Sequence, residues 1–225
     1  MKDPHRKAVI AIVRMFVVLV AAIFLPVWTF RWWQGWTCLA AFIAPASAIT
    51  VWVAKHDPAL LERRLKAGPK AEKERGQKVV QSIASVVFIA DFVIPGFDHR
   101  CGWSQLSAWT AILGDVLMLV GFWITFAVFR VNSFTSGIIE VAEGQKVIST
   151  GPYAVVRHPF YSGALIMLFG IPLALGSGWG MAVNVLLTAA IIWRLLHEEK
   201  FLAANLNGYV EYRQTVKYRL APLVW

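Results

Sequence analysis

Residues 160–196 read FYSGALIMLFGIPLALGSGWGMAVNVLLTAAIIWRLL. A helix crosses the hydrocarbon core of a bilayer with about 20 apolar residues, and this stretch is about twice that length. The run Gly-Ser-Gly-Trp-Gly at 176–180 interrupts it and is typical of a turn. The pattern therefore predicts two membrane-spanning helices joined as a hairpin.

Four further apolar runs precede this hairpin, at residues 8–30, 35–54, 79–95 and 106–129. The composition is 58% hydrophobic and only 16% charged, which excludes an ordinary soluble domain and a disordered chain. The first run is too long for a signal-peptide core and is followed by more spans, so we expect a retained anchor. We predict an all-α, polytopic bundle of about six transmembrane helices.

The whole chain, residues 1–225, is expected to form a single integral membrane domain. Four spans occupy residues 1–130. A cofactor-binding loop, the helical hairpin and a C-terminal cytoplasmic segment are expected in residues 131–225.

The net charge of +9 is explained by where the basic residues lie. Nineteen of the 22 lysines and arginines precede the first span, follow the last, or lie in the loops after spans two and four. By the positive-inside rule, both termini are cytoplasmic. A nucleic-acid partner is not expected, because the composition is that of a membrane protein. No metal is expected either, because the two cysteines lack the spacing of a zinc site.

The cytoplasmic loop at residues 55–78 has an amphipathic helical pattern. Its apolar positions are Leu60, Leu61 and Leu65, among charged neighbours. We expect this helix to lie along the membrane surface.

Polar and ionisable residues concentrate in the last third of the chain, beside apolar helices where they are costly. Residues 136–149 predict two short strand-like pieces around a turn at Glu143-Gly144. The stretch GPYAVVRHPFYSG follows at 151–163. Pro159 is suited to the first position of span five, with His158 near its cap.

The positive end of that helix favours a carboxylate or another electron-rich group. Tyr153 and Tyr161 offer flat faces for an aromatic base or a sulfonium cation. The alternative is an interfacial anchor of aromatic and basic residues at a helix start.

In the hairpin's second helix, Arg194 and Glu198 share one face and Glu199 points about 100° away. These residues could converge on one site, but the spacing also fits a simple intrahelical salt bridge between Arg194 and Glu198.

Three motifs together are far more specific than each alone. Gly-x-Tyr-x-x-x-Arg-His-Pro-x-Tyr-x-Gly at 151–163 is followed by Arg-x-x-x-Glu-Glu at 194–199 and Gly-Tyr-x-Glu-Tyr at 208–212. Over residues 140–222 the chain resembles the isoprenylcysteine carboxyl methyltransferase family. The resemblance implies S-adenosylmethionine as methyl donor, in a cytoplasm-facing pocket closed by the C-terminal segment. It also implies a lipophilic acceptor entering from the bilayer, such as a prenylcysteine-like or isoprenoid acid.

The resemblance also implies roles for individual residues. Arg194 is expected on the acceptor side, and Glu199 becomes a candidate base if the acceptor is an amine. Gln145 departs from the family, where a histidine is common, so its individual role is open. The residues expected to contact the cofactor are Gln145, Lys146, Val147, Ile148, Tyr153, His158, Pro159, Phe160, Tyr161 and Glu198.

Other functions stay open at this point. The membrane phospholipid N-methyltransferases share a looser form of the pattern, and sterol reductases that use a nicotinamide cofactor carry a related C-terminal pattern. A non-catalytic scaffold or transporter is the third class. No Gly-rich fingerprint follows a predicted strand, so a soluble methyltransferase fold is excluded. Asp91 and Asp115 are expected to form hydrogen bonds between helices.

The first prediction concerns orientation in the membrane. Reporter fusions at both termini and within residues 55–78 should give the cytoplasmic signal, because nearly all basic residues then face the cytoplasm. Fusions in the loop near residue 104 should give the opposite signal. An external signal from residues 55–78 would overturn this topology.

Overall fold

The computed structural model describes residues 4–72 and 74–225, and that part of the chain is helical without any β-strand. The predicted all-α fold is therefore confirmed. The helices are α1 Pro4–Val27, α2 Trp33–His56, α3 Pro58–Leu65, α4 Arg75–Cys101, α5 Ala108–Val131, α6 Pro159–Ala174, α7 Gly178–Asn205 and α8 Tyr209–Thr215, with a 3-10 turn at Gly151–Ala154.

Five of the described helices, α1, α2, α4, α5 and α7, are long and apolar enough to cross a membrane. The hairpin of α6 and α7 is formed as predicted, but α6 has only 16 residues. At 1.5 Å per residue it is about 24 Å long, shorter than a typical hydrocarbon core. Pro159 sets where α6 starts, because the residue before a proline is disfavoured in the helical region and His158 is accordingly non-helical.

Helices α5 and α6 pack closely through glycines. A Cβ atom on Gly114 would lie 2.1 Å from the backbone nitrogen of Ala174, and one on Gly121 would lie 2.5 Å from the carbonyl oxygen of Gly163. Small residues allow such backbone contact inside a bilayer, where lipid supplies no hydrophobic drive for helix association. This packing fixes the start of α6 relative to the end of α5.

A buried polar contact joins three helices in the middle of the bundle. The Asn184 Nδ2 group of α7 donates to both carboxylate oxygens of Asp91 on α4, at 3.2 and 3.1 Å, and to the Leu168 carbonyl of α6 at 2.6 Å. Asp91 therefore makes the interhelical contact expected of it. Asp115 on α5 interacts with Thr37 of α2, although its Oδ1 is buried without a hydrogen-bond partner among the described residues.

Helix α3 lies against the end of the bundle, and its expected position along the membrane surface stays a prediction. Leu60 and Leu61 are fully buried against the ends of α1, α2 and α5, so their apolar face is covered by protein. Asp57 caps the helix by accepting a hydrogen bond from the Leu60 N–H at 2.9 Å. The Arg63 and Arg64 side chains donate to the carbonyls of Ser133 and Ser136 in the segment after α5.

That segment, residues 132–150, forms no strands, so the two strand-like pieces predicted there are wrong. The turn itself is present, with Gly144 at φ 72°. Gln145 closes it, because its N–H donates to the Ala142 carbonyl and its Oε1 accepts from the Ala142 N–H at 2.9 Å. The flanking pieces lack a ladder because the first of them pairs with α3 through Gly137 and Ser136.

The second prediction tests the packing of α5 on α6. Replacing Gly114 by Ala should destabilise the protein by about 1–3 kcal/mol, because backbone atoms of α6 occupy the space of the new methyl group. Thermal unfolding in detergent measures the effect. Gly76→Ala is the matched control, since nothing lies within 4 Å of its Cβ position, and its melting temperature should not fall. Equal melting temperatures for the two variants would contradict the close packing.

Candidate functional site

A cavity of about 280 Å³ lies at the end of the bundle where α6 begins and α7 ends. Its wall is built from α3, the segment after α5, the 3-10 turn, the first turn of α6, the end of α7 and α8. Both the start of α1, through Ala8, and the C-terminal segment lie at this same end. The site is thus assembled from parts that are far apart in the sequence.

Most residues predicted for the site line this cavity. Those in its wall are Gln145, Lys146, Val147, Ile148, Tyr153, His158, Phe160, Tyr161, Arg194 and Glu198. Pro159 does not belong to the wall; it starts α6, which places His158 and Phe160 on the cavity side. Glu199 does not belong to the wall either.

Tyr161 stands between the two charged residues expected to share a face of α7. Its hydroxyl donates to Glu198 Oε2 at 2.6 Å, and it accepts from Arg194 Nε at 3.2 Å. No direct salt bridge joins Arg194 and Glu198 among the ion pairs of the described residues. The simple intrahelical pair is therefore replaced by a contact through the tyrosine, which holds the Glu198 carboxylate at the cavity.

Arg194 is occupied by partners inside the protein. Its Nη1 contacts the buried carboxylate of Glu72 at 2.6 Å, and its Nη2 donates to the Gly137 carbonyl at 3.1 Å. With its Nε on Tyr161, every nitrogen of the guanidinium is in use. This arrangement suits a residue that positions Tyr161 and residues 136–138, and it disfavours the expected role of holding an anionic acceptor.

Glu199 lies behind the cavity wall and is almost fully buried. Its carboxylate contacts Arg157 Nε at 2.7 Å, His158 Nε2 at 3.3 Å and Arg219 Nε at 2.9 Å. Two guanidinium groups stabilise the ionised form, so this carboxylate is a poor proton acceptor. The geometry disfavours Glu199 as a catalytic base and makes it an organising residue.

The C-terminal segment is attached to the start of α6 by a set of hydrogen bonds. The N–H groups of Arg157 and His158 donate to the carbonyls of Tyr218 and Arg219, at 2.9 and 3.0 Å. Ser162 Oγ donates to the Leu220 carbonyl at 2.6 Å. With Arg219 bound to Glu199, this segment fixes the backbone from which the His158 side chain projects.

Two tyrosines of α8 complete the cavity, and sequence reasoning assigned them no role although it identified their motif. Tyr212 donates its hydroxyl to the Tyr153 carbonyl at 2.7 Å. Tyr209 is only 4% exposed, and its hydroxyl has no hydrogen-bond partner among the described residues. Burial of an unsatisfied hydroxyl costs free energy, so Tyr209 is suited to a bound ligand.

Tyr153 is held in the wall as a neutral phenol. Asn132 Nδ2 donates to its hydroxyl at 2.8 Å, and burial raises the pKa of Tyr153 to about 12. At physiological pH its ring is thus an uncharged, electron-rich face with a fixed orientation. Arg64 of α3 also lines the cavity and was not predicted, because no motif marks it and it lies more than 80 residues before Tyr153 in the sequence.

Comparison with known proteins finds similarity to methyltransferases. The family described as phospholipid methyltransferase matches residues 109–207, which include α5, α6, α7 and the segment between α5 and α6. Protein-S-isoprenylcysteine O-methyltransferase B of Arabidopsis thaliana is 30% identical over 145 residues, covering 61% of this chain and 66% of that protein, just under two thirds of its length. Together these matches support assigning the chain to the isoprenylcysteine carboxyl methyltransferase family.

The similarity to these methyltransferases, together with the five long apolar helices, indicates an integral membrane protein. The match to the phospholipid methyltransferases ends at residue 207, before the two α8 tyrosines and the C-terminal segment. It begins at residue 109, after α3. The cavity wall therefore combines residues from inside and outside the region shared with that family.

The third prediction concerns the anchoring role of Glu199. Glu199→Gln should loosen the C-terminal segment, because removing one member of a buried ion pair costs about 3–5 kcal/mol. Hydrogen–deuterium exchange should become faster in residues 216–220. Glu211→Gln, an exposed carboxylate on α8, is the matched control and should leave exchange unchanged. Unaltered protection in the Glu199 variant would contradict the anchoring role.

Proposed function

We propose that this protein transfers a methyl group from S-adenosylmethionine to a lipophilic carboxylate acceptor, with the cavity open to the cytoplasm and both termini on that side. The observation that carries the proposal is the Glu198 carboxylate held at the cavity by Tyr161, beside the orphaned Tyr209 hydroxyl. The similarity to methyltransferases supports the reaction class.

The residues present fit the cofactor. Only Oε2 of Glu198 accepts a hydrogen bond in the described chain, so Oε1 is available to an ammonium group. The rings of Tyr153, Phe160 and Tyr161 in the wall suit a sulfonium cation. Residues 146–148 form no backbone–backbone hydrogen bond within the described residues, which leaves their N–H and carbonyl groups available for the polar rim of a purine.

When bound, S-adenosylmethionine supplies the methyl group: the acceptor oxygen bonds to the methyl carbon, the carbon–sulfur bond breaks, and sulfur leaves as a neutral thioether. A carboxylate is already ionised near neutral pH, so the protein needs no base for this step. Its contribution is alignment and exclusion of water. Tyr161 and Glu198 fix one end of the cavity wall, and the C-terminal segment closes it behind His158.

Proton balance favours a carboxylate acceptor over an amine. Arg157 and Arg194 are neutralised by Glu199 and Glu72. The remaining charges of the wall, Arg64 and Lys146 against Glu140 and Glu198, balance each other. An amine acceptor must first lose a proton, and the carboxylate expected to take it, Glu199, is held by arginines behind the wall. The name of the Arabidopsis relative also indicates an isoprenylcysteine substrate.

The fourth prediction concerns cofactor binding, measured by calorimetric titration of S-adenosylmethionine into the purified protein. Glu198→Gln should weaken binding by about 10- to 100-fold, since it removes a charge-assisted contact. Tyr209→Phe should also weaken binding, while its melting temperature stays the same or rises because a buried unsatisfied hydroxyl is removed. The exposed Glu211→Gln control should bind like the wild type.

Absence of binding by the wild-type protein would overturn the proposed cofactor, and NADPH binding in its place would indicate the reductase alternative. The acceptor is tested with methyl-labelled S-adenosylmethionine, using N-acetyl-S-farnesyl-L-cysteine and phosphatidylethanolamine as acceptors. The proposal expects label in the cysteine derivative as a base-labile ester. Label in the phospholipid alone would contradict the carboxylate assignment.

A further inference from the structure

Arg64 differs from the other arginines of the cavity by having no carboxylate partner. In residues 4–72 and 74–225 its guanidinium makes no ion pair, and its one hydrogen bond runs from Nη1 to the Ser136 carbonyl at 2.9 Å. Arg157 and Arg194 are instead neutralised by Glu199 and Glu72. Nε and Nη2 of Arg64 therefore have no protein partner in the described chain.

The position of Arg64 is nonetheless well defined. Its guanidinium carbon lies 4.5 Å from the centre of the Phe160 ring and 5.5 Å from that of Phe129, and these two rings stack on each other. Burial lowers the pKa of Arg64 to about 10, so it still carries its full charge at neutral pH. A half-buried cation that lies over two aromatic rings, with free donors beside a cavity, is suited to bind an anion.

We propose that Arg64 binds the carboxylate of the methyl acceptor through its free Nε and Nη2 donors. This inference rests on the proposed methyltransferase function and adds the residue that selects an anionic acceptor. Two parallel donors match the two oxygens of a carboxylate, which a lysine cannot reproduce.

The surroundings of Arg64 favour the acceptor over the cofactor as the source of that carboxylate. Ile49, Trp52 and Phe160 all pack against the buried cluster that includes Phe129. Ile49 and Trp52 also line an apolar furrow between α2 and α5, together with the lipid-exposed Trp123. An acceptor whose lipophilic chain lies in this furrow would place its polar end near the Phe129 and Phe160 rings, over which Arg64 lies.

The test compares an acid with its neutral analogue. The full-length protein in nanodiscs, saturated with S-adenosylhomocysteine to prevent turnover, is titrated with N-acetyl-S-farnesyl-L-cysteine and with the corresponding carboxamide. The wild type should bind the acid about 10- to 100-fold more tightly, since only the acid offers a charge-assisted contact. Arg64→Gln should bring the two affinities together by weakening the acid alone.

Arg63→Gln is the matched control. Arg63 belongs to the same helix, also donates to a backbone carbonyl and also lies over a phenylalanine ring, but it is not in the cavity wall. This variant should keep the preference for the acid. If Arg64→Gln fails to fold, Arg64→Lys gives the same readout, with a reduced preference expected because the charge stays and the paired donors are lost.

Three results would overturn the inference: no preference for the acid in the wild type, an intact preference in Arg64→Gln, or an equal loss for acid and amide. A separate titration of S-adenosylmethionine into Arg64→Gln should match the wild type. A roughly tenfold weakening there would assign the guanidinium to the cofactor's carboxylate and overturn the acceptor assignment. Failure of the methyltransferase proposal itself is distinguishable, because the wild type would then not bind S-adenosylmethionine.

Discussion

The buried carboxylate of Glu199 is the contact on which the site depends. It brings together Arg157 before α6, the α7 helix that carries it, and Arg219 of the C-terminal segment. A carboxylate without partners is strongly disfavoured inside a membrane bundle, so these three pieces of chain are held in one arrangement. The backbone hydrogen bonds between residues 157–158 and 218–219 follow from the same arrangement.

The second constraint is the start of α6 at Pro159 and its close packing against α5. Pro159 ends the non-helical segment and starts α6, and the glycines shared by α5 and α6 allow those helices to touch along their backbones. The cavity lies at the start of the short α6, whose first turn forms part of its wall. Tyr161, in the first turn of α6, reaches Glu198 of α7.

The polar and charged groups discussed above fall into two classes. Arg157 and Arg194 are neutralised by buried carboxylates and act on the positions of their neighbours. Arg64 and the Tyr209 hydroxyl have binding capacity that the described chain does not use, and Glu198 has one free oxygen. In a protein interior such unused capacity costs free energy, which a bound ligand of complementary charge recovers.

The sequence by itself determined the helical membrane fold, the hairpin, the place of Pro159 and most of the cavity wall from Gln145 to Glu198. These features depend on the length of apolar runs, on local backbone chemistry and on motifs, all of which are readable from neighbouring residues. Only the tertiary structure decided that Glu199 and Arg194 are internally paired, that α3 covers the bundle end, and that Arg64 reaches the cavity. Their partners, Arg219, Glu72 and Phe160, come from distant or separate segments, and the spacing of residues along a chain does not encode which distant charges meet.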